Sequence, residues 1–191
     1  INGFGLYGLA EIIDANPKKT KIKIAQIRHE KKPVHLGLAF CPTKSNDRNG
    51  LIIEKATEIG VTDFYPLTSQ NSERRKWNFE KFNKVLVSAV KQSQQFWTPK
   101  IHEIQNYYNF ISSNLGIDLK FLAHCKELKK NKIKELSNPM KSQLIVVGPE
   151  GDFTLEELKL AEENNFKMIS LGQNRLRTET ACIVGIRIMK L

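Results

Sequence analysis

Two short segments near the end of the chain carry residue types that could do chemistry together. The first, Gly148-Pro149-Glu150-Gly151-Asp152-Phe153, follows the apolar run Leu144-Ile145-Val146-Val147. The second, Leu171-Gly172-Gln173-Asn174-Arg175-Leu176-Arg177-Thr178-Glu179-Thr180-Ala181, follows Met168-Ile169-Ser170. Glycines at 148, 151 and 172 let a ligand approach the backbone where a Cβ would obstruct it. Arg177, with Arg175 beside it, can stabilise negative charge that develops during a reaction. Glu179 is the carboxylate of the second segment; it could take a proton, or simply favour the start of a helix. Either segment alone could be a plain turn between a strand and a helix. Both together, in order, point to a ligand crevice.

Such segments need a scaffold that brings them to one place. Strand patterns occur at Leu36–Phe40, Val61–Leu67, Asp118–Ala123, Gln143–Val147 and Met168–Leu171. Helical spacing of apolar residues occurs at Asp47–Gly60, Phe79–Phe96, Leu155–Asn164 and Thr180–Met189. Thr154-Leu155-Glu156-Glu157 spells a capping box that opens the third of these helices. Leu36–Phe40 is apolar without alternation, as expected of a strand covered on both faces. Repeated β-α-β predicts an α/β fold, a mostly parallel sheet flanked by helices. Ligands of such sheets bind beyond the carboxyl ends of the strands, where both glycine-rich segments fall. The Lys-rich stretch Lys126–Lys134 reads as a solvated helix face. The last helix is nearly all apolar, so both of its sides need cover, from the core or from a second subunit.

Residues 1–32 follow another grammar, with strand patterns around Leu9–Asp14 and Lys21–Ala25 and a turn at Asn16-Pro17. This hairpin is too short to hold a core, and it reads as part of a small β-domain whose first strands are absent. Gly3-Phe4-Gly5-Leu6-Tyr7-Gly8 matches the spelling of a dinucleotide-binding loop. Its context is wrong: no strand precedes it, and a strand rather than a helix follows.

Composition narrows the partners. Thirty Lys+Arg against twenty Asp+Glu leave a formal charge of +10, which favours a phosphate backbone as partner, with a merely solvated surface as the bland reading. Cys41, Cys125 and Cys182 are scattered, without metal-ligand spacing, so no metal site is expected and a reducing, cytoplasmic setting is. No apolar run is long enough to cross a membrane. Arg74, Arg75 and Lys76 precede Trp77, a pattern that could hold RNA by charge and by stacking on an unpaired base.

The paired motifs GPEGDF and SLGQNRLRTETA resemble those of the SPOUT methyltransferases, specifically the RsmE type. EKATEIGV (Glu54–Val61), NSER (Asn71–Arg74) and AVKQSQQFWTPKI (Ala89–Ile101) are similar to further motifs of that family. The resemblance implies a SPOUT fold with a C-terminal trefoil knot over residues 33–191, preceded by a fragment of a PUA-like RNA-binding β-domain over residues 1–32. It implies a homodimer that uses S-adenosyl-L-methionine to methylate N3 of a uridine in 16S rRNA of the small ribosomal subunit. Its cofactor loops fall on Leu122 and Ala123, on Val147, Gly148, Pro149, Glu150 and Gly151, and on Leu171, Gly172, Leu176, Thr178, Thr180 and Ala181. Arg177 would then stabilise charge on the uridine and Glu179 could serve as base, while Arg74, Arg75, Lys76 and Arg175 would meet the RNA. Two alternatives stay open: a SPOUT enzyme acting on transfer RNA or another rRNA position, and a non-catalytic RNA-binding module. The chain departs from the family pattern at Asn174 and Arg175, where Arg and Ile are usual, and at Gln95, where Arg is usual.

Overall fold

A computed structural model describes all residues, Ile1–Leu191. The hairpin strands β1 (Leu6–Asp14) and β2 (Lys21–His29) form a separate antiparallel two-stranded sheet. Ile12 and Ile22 pair across it yet stay exposed, so the hairpin buries no core of its own. It is held to the rest of the chain by backbone bonds from Gly5 N–H to the Phe96 carbonyl and from Thr98 N–H to the Gly3 carbonyl, and Tyr7 stacks on Phe96. Gly5 has φ +85°, and a Cβ there would lie 2.6 Å from the Trp97 ring. Gly3 and Gly5 of the apparent dinucleotide motif therefore serve this docking; Gly8 lies inside β1 and opens no helix.

The remaining strands are β3 (Leu36–Phe40), β4 (Asp63–Thr68), β5 (Lys100–Ile101), β6 (Gln105–Asn106), β7 (Leu119–Ala123), β8 (Asn131–Lys132), β9 (Gln143–Val147) and β10 (Lys167–Ser170). The helices are α1 (Asn46–Ile59), α2 (Phe79–Gln92), α3 (Tyr107–Ser112), α4 (Ile133–Leu136), α5 (Leu155–Glu163) and α6 (Thr178–Met189). The sheet order is β5-β4-β3-β9-β7-β10-β8, with β6 also on β4, and every pairing is parallel. Strand β9 sits between β3 and β7, with Val147 level with Phe40 and Ala123.

Apolar cores lie on both faces of the sheet, which is why its strands are unbroken apolar runs. Along β9, Ile145 and Val147 join Phe40, Ile52, Phe82 and Ile186 in one core, while Leu144 and Val146 join Tyr107, Phe110, Phe153 and Leu158 in the other. Helix α1 starts at a Ser45 cap and ends at Gly60, whose φ of +104° suits a glycine. The capping box of α5 is present in both directions.

Two expectations from the sequence need correction. Helix α2 stops at Gln92 rather than reaching Phe96, because the Ser93 hydroxyl takes the Ala89 carbonyl and Gln94 turns to φ +55°. Gln95 then bonds the Thr57 carbonyl of α1, which ties the two helices together at the position where the family pattern has Arg. Lys126–Lys134 is a loop ending in β8 and the start of α4, not a solvated helix. Asn131 binds the Met168 carbonyl beside β10, and Ile133 is drawn into the core. Helix α6 is nearly all apolar, with Thr180 and Arg187 its exposed polar residues; Ile186 is on its inner side and fully buried. Its outer apolar residues are the half-buried Ile183 and Val184. Gly185 lets α6 lie directly on β9, since a Cβ there would collide with Ile145.

Candidate active site

Because the sheet is parallel, the loops leaving β7, β9 and β10 emerge on one edge. Between them is a cavity of about 470 Å³, a size typical of small-molecule sites. The loop after β9 lines it with Val147, Gly148, Pro149 and Glu150. The loop after β10 supplies Leu171, Gly172, Leu176, Arg177 and Thr178, with Arg175 at the rim; Ala123 and Ala181 complete the wall. Three residues expected at the cofactor stand outside the lining. Leu122 is packed in the second core, Gly151 faces Asn71, and Thr180 is exposed on α6.

The two glycine-rich loops hold each other. The Thr178 hydroxyl donates to the Gly148 carbonyl at 3.2 Å, and the Arg175 guanidinium donates to the Glu150 carbonyl at 3.1 Å. Gly172 has φ +147° with open space where a Cβ would stand, so its backbone conformation is what calls for glycine. Gly148 is needed for another reason: a Cβ there would lie 2.8 Å from the buried ring of Phe153. Gly148→Val is therefore expected to disturb the fold as well as the loop. Overpacking against Phe153 should cost about 1–3 kcal/mol, read as a lower urea midpoint. An unchanged midpoint would mean that Phe153 can step aside.

Arg177 is the N-cap residue of α6, in extended conformation, with its side chain exposed at the cavity. Glu179, two residues on and in the first turn of the helix, does not reach the cavity. It is buried between α6 and α1, with one oxygen 3.6 Å from the Arg48 guanidinium and the other without a partner. Burial pushes the thiols of Cys41 and Cys182 up, which leaves both unreactive.

The sequence reading placed a cofactor loop at Leu122 and Ala123 but missed the residues beyond them. His124, Cys125 and Lys130 line the cavity beside Ala123, and Asp152 lines it from the β9 loop. Asp152, at φ +60°, accepts from Cys125 N–H at 3.0 Å and from Phe153 N–H at 2.9 Å, so it pins the first two loops together. Burial, aided by the Lys130 cation, lowers the pKa of His124 and keeps its ring neutral near pH 7. The signal for these residues was their place just beyond a strand end.

A fourth loop, residues 69–77, is stitched to this edge. The buried Glu157 carboxylate accepts from Gln70 N–H at 2.8 Å and from Thr154 N–H at 2.9 Å, and the Asn71 amide donates to the Asp152 carbonyl at 2.9 Å. Arg74 is spent on Asn46 Oδ1 at 2.6 Å and the Lys44 carbonyl at 3.2 Å. Arg75 and Lys76 are exposed. Trp77 is not available to stack on a base: it turns inward, stacked on Phe82 at 4.1 Å and edge-on to Phe40 at 5.7 Å.

The fold and site define an α/β domain that receives a small ligand at its carboxyl edge under a basic rim. Residues 30–190 match the model of the RNA methyltransferase domain, and the chain belongs to that family. A relative from Rickettsia conorii, ribosomal RNA small subunit methyltransferase E, is 33% identical over 187 residues, covering 96% of this chain and 75% of that protein. The crystal structure of a probable rRNA-methyltransferase from Porphyromonas gingivalis superimposes with a TM-score of 0.89 at 30% identity, covering 96% of this chain and 79% of the other. A ribosomal RNA small subunit methyltransferase E from Neisseria gonorrhoeae, bound to S-adenosyl methionine, has the same fold, with a TM-score of 0.85 at 24% identity over 96% of this chain and 78% of the other.

Proposed function

We propose that this chain methylates N3 of a uridine in 16S rRNA of the small ribosomal subunit, with S-adenosylmethionine as methyl donor. The observation that carries the reading is the meeting of the two glycine-rich loops around one cavity, with Arg177 on its rim, in a chain of the RNA methyltransferase family. The name of the Rickettsia relative supports the substrate class, and the ligand of the Neisseria structure supports the cofactor class. The residues fit such a cofactor: the cavity is large enough, glycine backbone lines it, and a buried imidazole on its wall lacks a partner.

When bound, S-adenosylmethionine supplies a methyl group activated on sulfur. The loops of Val147–Glu150 and Leu171–Gly172 would hold it, and the protein's main work is to bring the uridine into line with the methyl. The N3 proton leaves to solvent water before the methyl is accepted, and Arg177 stabilises the negative charge this creates on the base. Glu179, held against Arg48, suits positioning the start of α6 better than taking that proton. Arg75, Lys76 and Arg175 meet the RNA, while Arg74 stiffens the loop that carries them.

Residues 1–32 fit a fragment of a PUA-like RNA-binding module, and residues 33–191 the SPOUT domain, with its trefoil knot formed by the C-terminal segment. The outer face of α6 suits a second copy of the chain, giving a homodimer that works in the cytoplasm, where ribosomes assemble. The test is methylation of small subunits from a strain lacking this modification, with mass mapping of the product. One N3-methylated uridine in 16S rRNA is expected. Methyl incorporation into transfer RNA alone would overturn the substrate, and binding of RNA without any methyl transfer would overturn the enzyme.

A further inference from the structure

His124 follows the last residue of β7 and lines the cavity, yet only 7% of its surface is exposed. Neither Nδ1 nor Nε2 has a hydrogen-bond partner, and both are screened from solvent. A buried polar group left unpaired costs about 1–3 kcal/mol, so native chains keep one mainly for a reason. The two charged groups that act on this ring most, Lys130 and Asp152, are engaged elsewhere. Lys130 Nζ donates to the Lys126 carbonyl at 2.9 Å and the His124 carbonyl at 3.4 Å. The Asp152 carboxylate accepts from the Cys125 and Phe153 N–H groups.

We propose that His124 is a further cofactor-binding residue, whose imidazole hydrogen-bonds the neutral adenosine part of S-adenosylmethionine. This rests on the cofactor reading given above. A neutral imidazole offers one N–H donor and one nitrogen acceptor, a match for ribose hydroxyls or the edge of adenine. The charged amino-acid end would call for fixed charges instead. A protonated ring in this cavity would also be repelled by the sulfonium, and burial works against that protonation. Because both nitrogens are screened from solvent, the ring turns about its side-chain torsions to present them to the bound cofactor.

The test is calorimetric titration of the full chain and of His124→Phe and His124→Asn. The ligands are S-adenosylmethionine and 5′-methylthioadenosine, which lacks the amino-acid end. His124→Phe should weaken both ligands about ten- to a hundredfold. Its melting temperature without ligand should be no lower than wild type, because an apolar ring removes two unpaired nitrogens. His124→Asn keeps a donor and an acceptor and should recover part of the affinity. Wild-type affinity in His124→Phe would overturn the inference. Weakened S-adenosylmethionine with unchanged 5′-methylthioadenosine would overturn the assignment to the adenosine part. Wild-type protein that binds neither ligand would instead overturn the cofactor reading itself. Should His124→Phe fail to fold, imidazole ¹⁵N spectra of the wild-type protein decide: S-adenosylmethionine must shift the His124 nitrogens, and an unchanged spectrum at saturation overturns the proposal.

Discussion

Arg177→Ala should slow methyl transfer about 10²–10³-fold, the usual effect of removing a donor that stabilises developing negative charge, while S-adenosylmethionine affinity stays within a few-fold. The split follows from where the residue stands. Thr178 and Ala181 are built into the wall of the cavity, whereas Arg177 is an exposed side chain at its rim, free to meet a base brought from outside. Its backbone carbonyl accepts from Ala181 N–H and starts α6, and alanine preserves that bond. Single-turnover methylation of small subunits, with a parallel cofactor titration, measures both quantities. A transfer rate near wild type would remove Arg177 from the chemistry. Equal losses in rate and cofactor affinity would make it a cofactor ligand instead.

Val184→Glu should convert a dimer to monomer and abolish methylation with it, leaving the fold of each chain intact. Val184 and Ile183 are half-buried on the outer face of a helix whose inner face is already filled by Cys182, Gly185, Ile186 and Met189. A helix with apolar residues on its outer face as well as its inner one needs cover on both. The opening turn of the same helix borders the cavity through Thr178 and Ala181, so a partner packed on α6 stands next to the site. Ile186 would be the wrong residue to change, since a charge there enters the core. Sedimentation of wild type and variant, with circular dichroism as the control for folding, gives the answer. A wild-type chain that is monomeric and fully active at micromolar concentration would end this reading.

Much of the scaffold was legible because local chemistry spells it. Gly60 ends α1, Thr154 and Glu157 cap α5 reciprocally, and unbroken apolar runs mark strands buried on both faces. Both glycine-rich loops were found by their place after strands. What stayed hidden depends on contacts distant in sequence. Trp77 beside three basic residues looks like an RNA platform, yet Phe40 and Phe82 claim it for the core. Glu179 looks like a base until Arg48, far away in the chain, is found beside it. His124 has no motif to announce it. Its importance lies in what it fails to touch, which only the folded chain reveals.

The central position of β9 has a consequence for biosynthesis. A chain made from its N-terminus completes β3, β4 and β5, and later β7, before the strand that belongs between β3 and β7 exists. Until Gln143–Val147 emerges, β3 presents one unpaired edge and β7 two, the kind of template on which nascent chains aggregate. The strand that closes this gap runs straight into Gly148. Joining of β3 to β7 and creation of the first ligand loop are thus one event, with β10 and the second loop still to follow, and a ribosome that stalls before β9 releases a chain with open edges and no site.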